Sequence, residues 1–239
     1  MSGHSKWATT KRQKAVIDNK RGAIFTKLAR AISVAAKESG GDPATNFKLR
    51  LAIDQARAVN MPKDNIERAI KRGTGEMSGE VLDSVTYEAF GPAGVAIIIE
   101  GVTNNRNRTV NDLKTILSKN NSSLSVPGSV IWMFDRRGVI RVLVEGDREE
   151  AELKLIDYGA EDIISDSNGI TLLTASEELN ILQQKLKTDG WEIVSADLEY
   201  WPKNGVRFPE GKEGEQLSVL IEAIEENDDI SSVSTNAIL

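Results

Sequence analysis

Between residues 139 and 200 the hydrophobic period switches in a single order, and that order restricts the fold more than any other feature of the chain. Val139 to Glu145 reads as a strand and Arg148 to Tyr158 as a helix. Glu161 to Ser165 and Ile170 to Thr174 read as two strands joined by an Asp-Ser-Asn-Gly turn at Asp166–Gly169. Ser176 is the expected cap of a helix to Thr188 with Leu179, Leu182 and Leu186 inward, and Trp191 to Tyr200 closes the unit as a strand. Strand-helix-strand-strand-helix-strand is the split βαβ, or ferredoxin-like, order.

The segment before it is helical. Ile24, Leu28, Ile32 and Ala36 recur four apart, with Phe25 and Ala29 beside them, so Asn19 or Lys20 to Ser39 predicts one amphipathic helix. A shorter basic helix is expected over Thr9 to Asp18. Gly40-Gly41 stops the long helix, and Asp42-Pro43 reads as N-cap and first residue of the next, which carries Leu49, Ala52, Ile53, Ala56 and Val59 on one face. Asn60-Met61-Pro62 breaks the chain again, Pro62 opens a helix with Ile66, Ala69 and Ile70 inward, and Gly73-Thr74-Gly75 ends it.

After Gly75 the period changes to two. Val85, Tyr87 and Ala89 alternate, Gly91 to Gly94 turns, and the β-branched run from Val95 to Val102 has the continuity of a buried strand. Asn104 to Lys119 is expected as a helix, Asn120 to Gly128 as a polar loop and Val130 to Phe134 as a strand. Residues 201–212 read as a Pro/Gly linker, followed by a helix over Glu215 to Glu226 and a strand over Ile230 to Asn236. The stretch 80–137 lacks a second helix and a last strand, and the tail supplies both. The expected fold is therefore α+β. A three- to four-helix domain (1–79) precedes two ferredoxin-like α+β domains, one (138–206) inserted in the other (80–137 plus 207–239).

Charge divides the chain as sharply as period does. Residues 1–75 hold 16 Lys and Arg against 6 Asp and Glu, a surplus of ten positive charges, whereas the remainder holds 14 against 30. A basic first third on an acidic body points to a polyanionic partner for that third. Composition removes several alternatives. There is no cysteine, so disulfides and thiolate chemistry are out, and the single histidine, His4, leaves no Ser-His-Asp constellation unless His4 serves. No apolar run approaches the ~18 residues of a membrane span, and the N-terminus lacks the apolar core of a secretory signal. A reducing compartment and no membrane partner are expected.

The candidate binding residues follow from the charge. Lys11, Arg12, Lys14, Lys20, Arg21, Lys27 and Arg30 cluster within twenty residues, and only Asp18 opposes them before Glu38. Cations at such spacing track a phosphate backbone and release counterions; the alternative is a solvated helix face. Lys6 and Trp7 precede them, with Trp7 suited either to stack on a base or to fold back on the helices, and His4 a phosphate or base contact. Arg68, Lys71 and Arg72 form a second cluster, beside Glu67, which fits a solvated face. Asn104-Asn105-Arg106-Asn107-Arg108-Thr109 lies where a strand gives way to a helix, so Arg106 and Arg108 are candidates for phosphate. Taken alone, that stretch reads better as a polar capping turn. Asp135-Arg136-Arg137-Gly138 reads as a hinge turn, and the acidic Glu222, Glu225, Glu226, Asp228 and Asp229 as a solvated face matching no calcium loop. No catalytic pair, metal site or cofactor motif emerges.

These stretches together resemble the YebC family of bacteria, whose mitochondrial relative is a translational activator of cytochrome oxidase subunit one. The resemblance rests on Gly3-His-Ser-Lys-Trp7, Lys20-Arg-Gly-Ala-Ile-Phe-Thr-Lys27, Gly40-Gly-Asp-Pro43, Asn60-Met-Pro62, Ile66 to Gly73, Tyr87-Glu with Gly91-Pro92, Asn105 to Thr109, Gly128-Ser-Val130 with Met133-Phe134, and Thr235-Asn236. It covers nearly the whole chain; Val126-Pro127 departs from the small or polar residues usual there. The resemblance implies one helical and two α+β domains, no catalytic activity, and a cytoplasmic role in gene expression. Some members are described as DNA-binding transcriptional regulators, and others act in translation at the ribosome. It also implies binding through the basic N-terminal residues with Arg106 and Arg108. The expectation is a nucleic-acid-binding regulator, RNA- and ribosome-associated in preference to DNA-binding. A small-molecule-sensing module is the alternative of another class, and oligomeric state is left open.

Overall fold

The computed structural model describes residues 17–144, 147–166 and 169–238, with side chains from residue 22 onward other than that of Asp166. It is mixed α+β with the helical segment first, as expected. The described residues divide into two compact units. One takes in residues 17–131 with Pro209–Val233, the other Trp132–Phe208 with residues 234–238.

In the first unit α1 (Ile17–Ser39), α2 (Phe47–Ala58) and α3 (Lys63–Gly73) bury one shared core of Ile32, Ala36, Leu49, Ile53, Ala56, Met61, Ile66 and Ala69. The expected stripe on α1 is therefore inward at Ile32 and Ala36, whereas Ile24, at its start, is exposed. The cap of α2 is not Asp42-Pro43. Those residues form a turn in which Asp42 Oδ1 accepts from the Ala44 amide at 2.9 Å. Asn46, buried at 2% exposure, is the true cap. Its Oδ1 accepts from Leu49 N at 3.0 Å while its Nδ2 donates to Ala35 O and Gly40 O. An amide both accepts from a helix start and donates to a helix end; a carboxylate accepts only. α3 follows Pro62, as expected, with Asn60 left-handed at φ 59°.

Gly73 ends α3 against α1. A Cβ there would stand 2.2 Å from Ser33 O and 2.7 Å from Ala36 Cβ, so only glycine lets the helices approach this closely. Gly73→Ala is expected to lower stability by about 1–3 kcal/mol through overpacking, read as a shift in urea midpoint at unchanged m-value.

The same unit holds a four-stranded sheet of order β3-β1-β2-β9, formed by β1 (Asp83–Phe90), β2 (Ala96–Thr103), β3 (Ser123–Leu124) and β9 (Ile230–Thr235). β1 and β2 are an antiparallel hairpin pairing Tyr87 with Ile99. Ala96, Ile97, Ile98 and Ile99 are all fully buried, so successive side chains are covered on both faces. That is why the run is continuous rather than alternating. α1 packs on β2, and α4 (Arg106–Lys119) packs on α7 (Gly211–Glu225). The edge strand β3 falls within the expected polar loop; two residues pairing with Ala89 and Phe90 carry no readable period.

The second unit has the split βαβ order. β4 (Phe134–Val142), α5 (Arg148–Ile156), β5 (Asp162–Asp166), β6 (Gly169–Ala175), α6 (Leu179–Thr188) and β7 (Ile193–Pro202) make an antiparallel sheet ordered β5-β6-β4-β7. Two expectations need correction. Val130–Phe134 is not a strand: Ile131–Met133 is a 3-10 turn, and β4 runs unbroken through the expected hinge at Asp135–Gly138. Both flanks of that stretch are paired, Arg136 with Tyr200 and Gly138 with Thr174, and two ladders outweigh the turn propensity of Asp and Gly. Ser176 does not cap α6. Its hydroxyl donates to Arg136 O at 2.8 Å, and α6 starts at Leu179. Within the expected linker, β8 (Val206–Arg207) pairs in parallel with β10 (Ala237–Ile238). Among the described residues no helix is long and apolar enough to cross a membrane.

Candidate nucleic-acid interface

Of the thirteen candidate residues, Lys6, Trp7, Lys11, Arg12 and Lys14, with His4, lie outside the described residues. Lys20 and Arg21 stand near the start of α1. The other six have described side chains, all in the first unit, and they separate by what holds them.

Lys27, Arg30 and Arg108 are engaged within the protein. Helix α7 ends at Glu225 with carbonyls that lack intrahelical donors. Lys27 Nζ donates to Glu225 O at 2.6 Å and Arg30 Nη1 to Asp228 O at 3.0 Å, placing cations at the negative end of the helix dipole. One residue further, Asp229 is 4% exposed and gathers donors from three elements. Arg30 of α1 reaches Oδ1 at 2.7 Å, and Arg108 of α4 reaches both oxygens at 2.8 and 3.0 Å. The hydroxyls of Thr103, on β2, and Thr109, on α4, lie 3.0 and 2.7 Å from Oδ2. Burial works to raise the Asp229 pKa, but Arg108 and the two threonines outweigh it and hold the carboxyl below its ordinary value. Asp229 is thus not part of a solvated acidic face. Gly101 makes room for it, since a Cβ there would lie 2.2 Å from Asp229 O.

This settles the Asn104–Thr109 stretch locally. Asn105 caps α4, its Oδ1 accepting from Arg108 N at 3.1 Å, and Asn104 Nδ2 donates to Glu80 Oε2 at 2.7 Å. The helix start does attract an anion, and that anion is the chain's own Asp229. Arg106 points away from the knot, 63% exposed and 3.7 Å from Asp83 Oδ2.

Lys71 and Arg72 are exposed in the last turn of α3. The neighbouring Glu67 pairs instead with Lys63 at 3.4 Å, leaving the cationic end of the helix uncompensated by it. Arg72 and Arg30 line one cleft of about 880 Å³ between α1, α3 and the segment 75–82. Arg68 and Lys37 line it too. Lys37 carries no signal in the sequence, because it stands alone after a run of alanines; only the return of residues 75–82 over α1 makes it a wall. Lys37 Nζ donates to Leu82 O at 2.9 Å and lies 3.3 Å from Asp83 Oδ1. Arg68 is held by Asp64 O and Asn65 Oδ1.

Elsewhere on the first unit, Glu88 is a buried carboxylate at 7% exposure. It accepts from the amides of Gly128, Val130 and Ile131 at 2.6, 2.5 and 2.8 Å, and so fixes the loop carrying Val126-Pro127. Burial pushes its pKa up; the three amides outweigh that and leave it below the usual carboxylate range.

Comparison with known proteins gives the family of the chain. A protein of Chlorobium luteolum is 48% identical over 238 residues, covering 99% of this chain and 95% of its own. One from Gemmatimonas aurantiaca is 47% identical over 237 residues, with 99% and 96% covered. Both carry the name "probable transcriptional regulatory protein". The crystal structure of a conserved hypothetical protein, Aq1575 from Aquifex aeolicus, superposes with a TM-score of 0.90 at 38% identity over 97% of this chain and 96% of that one. Residues 5–76 match the TACO1/YebC protein N-terminal domain and residues 82–237 the TACO1/YebC second and third domain, so the chain belongs to the TACO1/YebC family.

Proposed function

We propose that this protein is a non-catalytic regulator of gene expression that acts by binding nucleic acid, RNA on the ribosome in preference to DNA. The observation that supports it is the cationic end of α3, where Arg68, Lys71 and Arg72 gather beside a cleft, within a segment carrying ten surplus positive charges. Lys6, Trp7, Lys11, Arg12, Lys14, Lys20 and Arg21, in the basic segment that precedes it in sequence, are proposed as further contacts, with Arg106 as an outlying one. Lys27, Arg30 and Arg108 hold the fold together and are left out of it.

The arrangement of α2 and α3 supports RNA over an operator. The two helices are joined by a short turn, as in helix-turn-helix proteins, whose second helix puts its N-terminal residues on base edges. Here the first turn of α3 carries Lys63 beside Asp64, with Glu67 paired back to Lys63, and the unopposed cations sit further along at the opposite end. A helix with that polarity has no surplus of positive charge where it would have to read bases. The names of the relatives favour the second reading, a DNA-binding transcriptional regulator using the same surface.

The test is binding of the full chain to structured RNA and to duplex DNA across a salt series, with co-sedimentation on ribosomes. Changing Lys11, Arg12, Lys14, Lys20 and Arg21 to Gln is expected to leave the fold intact. It should also flatten the dependence of log K on log salt by about 0.7 to 0.9 per lost phosphate contact. Unchanged affinity would remove the N-terminal segment from the surface. Retention on DNA without migration with ribosomes would select the transcriptional reading.

A further inference from the structure

We infer that the cleft between α1, α3 and the segment 75–82 takes an extended acidic peptide of a protein partner. The peptide's carboxylates seat on Arg68 and Arg72, and its alternate aliphatic side chains on Met77 and Val81. This goes beyond the nucleic-acid reading and does not rest on it. At about 880 Å³ the cleft falls within the size range of ligand sites.

Charge favours an anion. Arg30, Lys37, Arg68 and Arg72 line the cleft. Glu80 is the carboxylate lining it among the described residues, and it already accepts from Asn104 Nδ2. Arg30 and Lys37 stand beside carboxylates of their own, Asp229 and Asp83. Arg68 bonds neutral oxygens and Arg72 makes no ion pair among the described residues, so these two keep their charge for a partner.

The apolar part of the lining that a partner can reach is aliphatic. Phe25 is half-buried and packs against the helical core, whereas Val81 is 73% exposed and Met77 is exposed on the opposite wall. That wall takes a valine or leucine side chain and gives the face of a base no ring to lie on. Spacing agrees. Arg68 and Arg72 are four residues apart on α3, about 6 Å along the helix axis. Side chains on one side of an extended peptide recur every second residue, about 6.6 Å apart, and those between them point the other way. Carboxylates can therefore face α3 while aliphatic side chains face the returning segment.

The backbone favours a peptide over a nucleic-acid strand. Ser78 to Val81 lies in neither helix nor strand, leads through Leu82 into β1, and makes no backbone–backbone hydrogen bond among the described residues. An added strand pairs with such a row of amides and carbonyls, and alternate side chains supply the specificity. A phosphodiester chain has no amide donors to offer the carbonyls. Peptide and RNA would compete for Arg68 and Arg72, whereas Lys71 is not part of the cleft lining.

The experiment is fluorescence anisotropy of the full chain with a labelled octapeptide of alternating Glu and Val. Its comparisons are the Lys-Val analogue, two forms N-methylated at either the Glu or the Val amides, and an oligouridine. Saturable binding of the Glu-Val peptide is expected below about 1 mM at low salt, with none for Lys-Val. Arg68→Gln with Arg72→Gln should weaken it about fivefold or more, the loss of two exposed ion pairs, and the exposed Val81→Asp should weaken it as well. Lys114→Gln with Lys119→Gln, which removes the same charge from exposed positions of α4, should change it less than about twofold. The two methylated forms block opposite edges of the peptide, so one should bind about fivefold or more weakly and the other nearly as the parent. These peptide-side changes keep the test independent of how any variant folds. No saturable binding, equal losses in the α4 pair, or indifference to both Val81→Asp and the methylated edge would overturn the assignment. If that indifference came with loss of oligouridine binding in the arginine pair, the cleft would belong to nucleic acid instead.

Discussion

Asp229→Ala is expected to cost about 3–5 kcal/mol of stability, the range for leaving a buried charge pair without one partner. The side chain is 4% exposed and is the common acceptor for Arg30, Arg108, Thr103 and Thr109. Its removal strands two guanidiniums and two hydroxyls where α1, α4 and the end of β2 meet. Arg108 is 45% exposed, so water screens part of its share, and the lower half of the range is the better target. Asp229→Asn keeps the shape and loses the charge, and should fall between the alanine variant and the native protein. Urea denaturation measures both. An alanine variant within about 1 kcal/mol of native, the worth of an ordinary surface pair, would show that the knot is dispensable.

Glu88→Ala is expected to cost about 2–4 kcal/mol, since each buried amide left without its acceptor costs about 1–3 and the loop can relax toward water. Glu88→Gln is the sharper probe. Its carbonyl can accept, but its NH2 group turns two donors toward amides that are themselves donors. Hydrogen exchange at Gly128, Val130 and Ile131 should accelerate in both variants, and unaltered protection would refute the pinning role. The two carboxylates also contribute to the acid limit of the fold. Both have folded-state pKa values below their ordinary ones. The stability they contribute is therefore fully present above the ordinary carboxylate range and is lost as pH falls through their lowered folded values. In Asp229→Asn and Glu88→Gln that acid limb should be shallower.

Local patterns are legible in the sequence, and long-range partners are not. The stripes of α1 to α3, the hairpin around Gly91–Gly94 and the split βαβ order each depend on spacing within a few residues, so each can be read. Asp42-Pro43 fails as a cap because Asn46 satisfies three backbone groups at once, two of them on the preceding helix and its end. The Asp135–Gly138 turn fails because ladders on both sides hold β4 straight. For the candidate surface the decisive facts lie far along the chain. Arg30 and Arg108 look like phosphate contacts, and the carboxylate that holds them is 199 and 121 residues away. Nothing near either arginine announces that partner, whereas Lys71 and Arg72 can be read from their own helix.

The knot around Asp229 also has an order in time. Ribosomes make the basic helices first, and the groups that hold Lys27 and Arg30 belong to the end of the chain, at Glu225 to Asp229. Strand β9, which lies beside β2 in the finished sheet, and helix α7, which packs on α4, are equally late. While the middle of the protein is being synthesised, β2 lacks its β9 neighbour, and Arg30 and Arg108 lack the carboxylate of Asp229. Only once Asp229 has been made can its carboxylate draw Arg30 and Arg108 into the framework, so which positive charges remain for a partner is set late in synthesis.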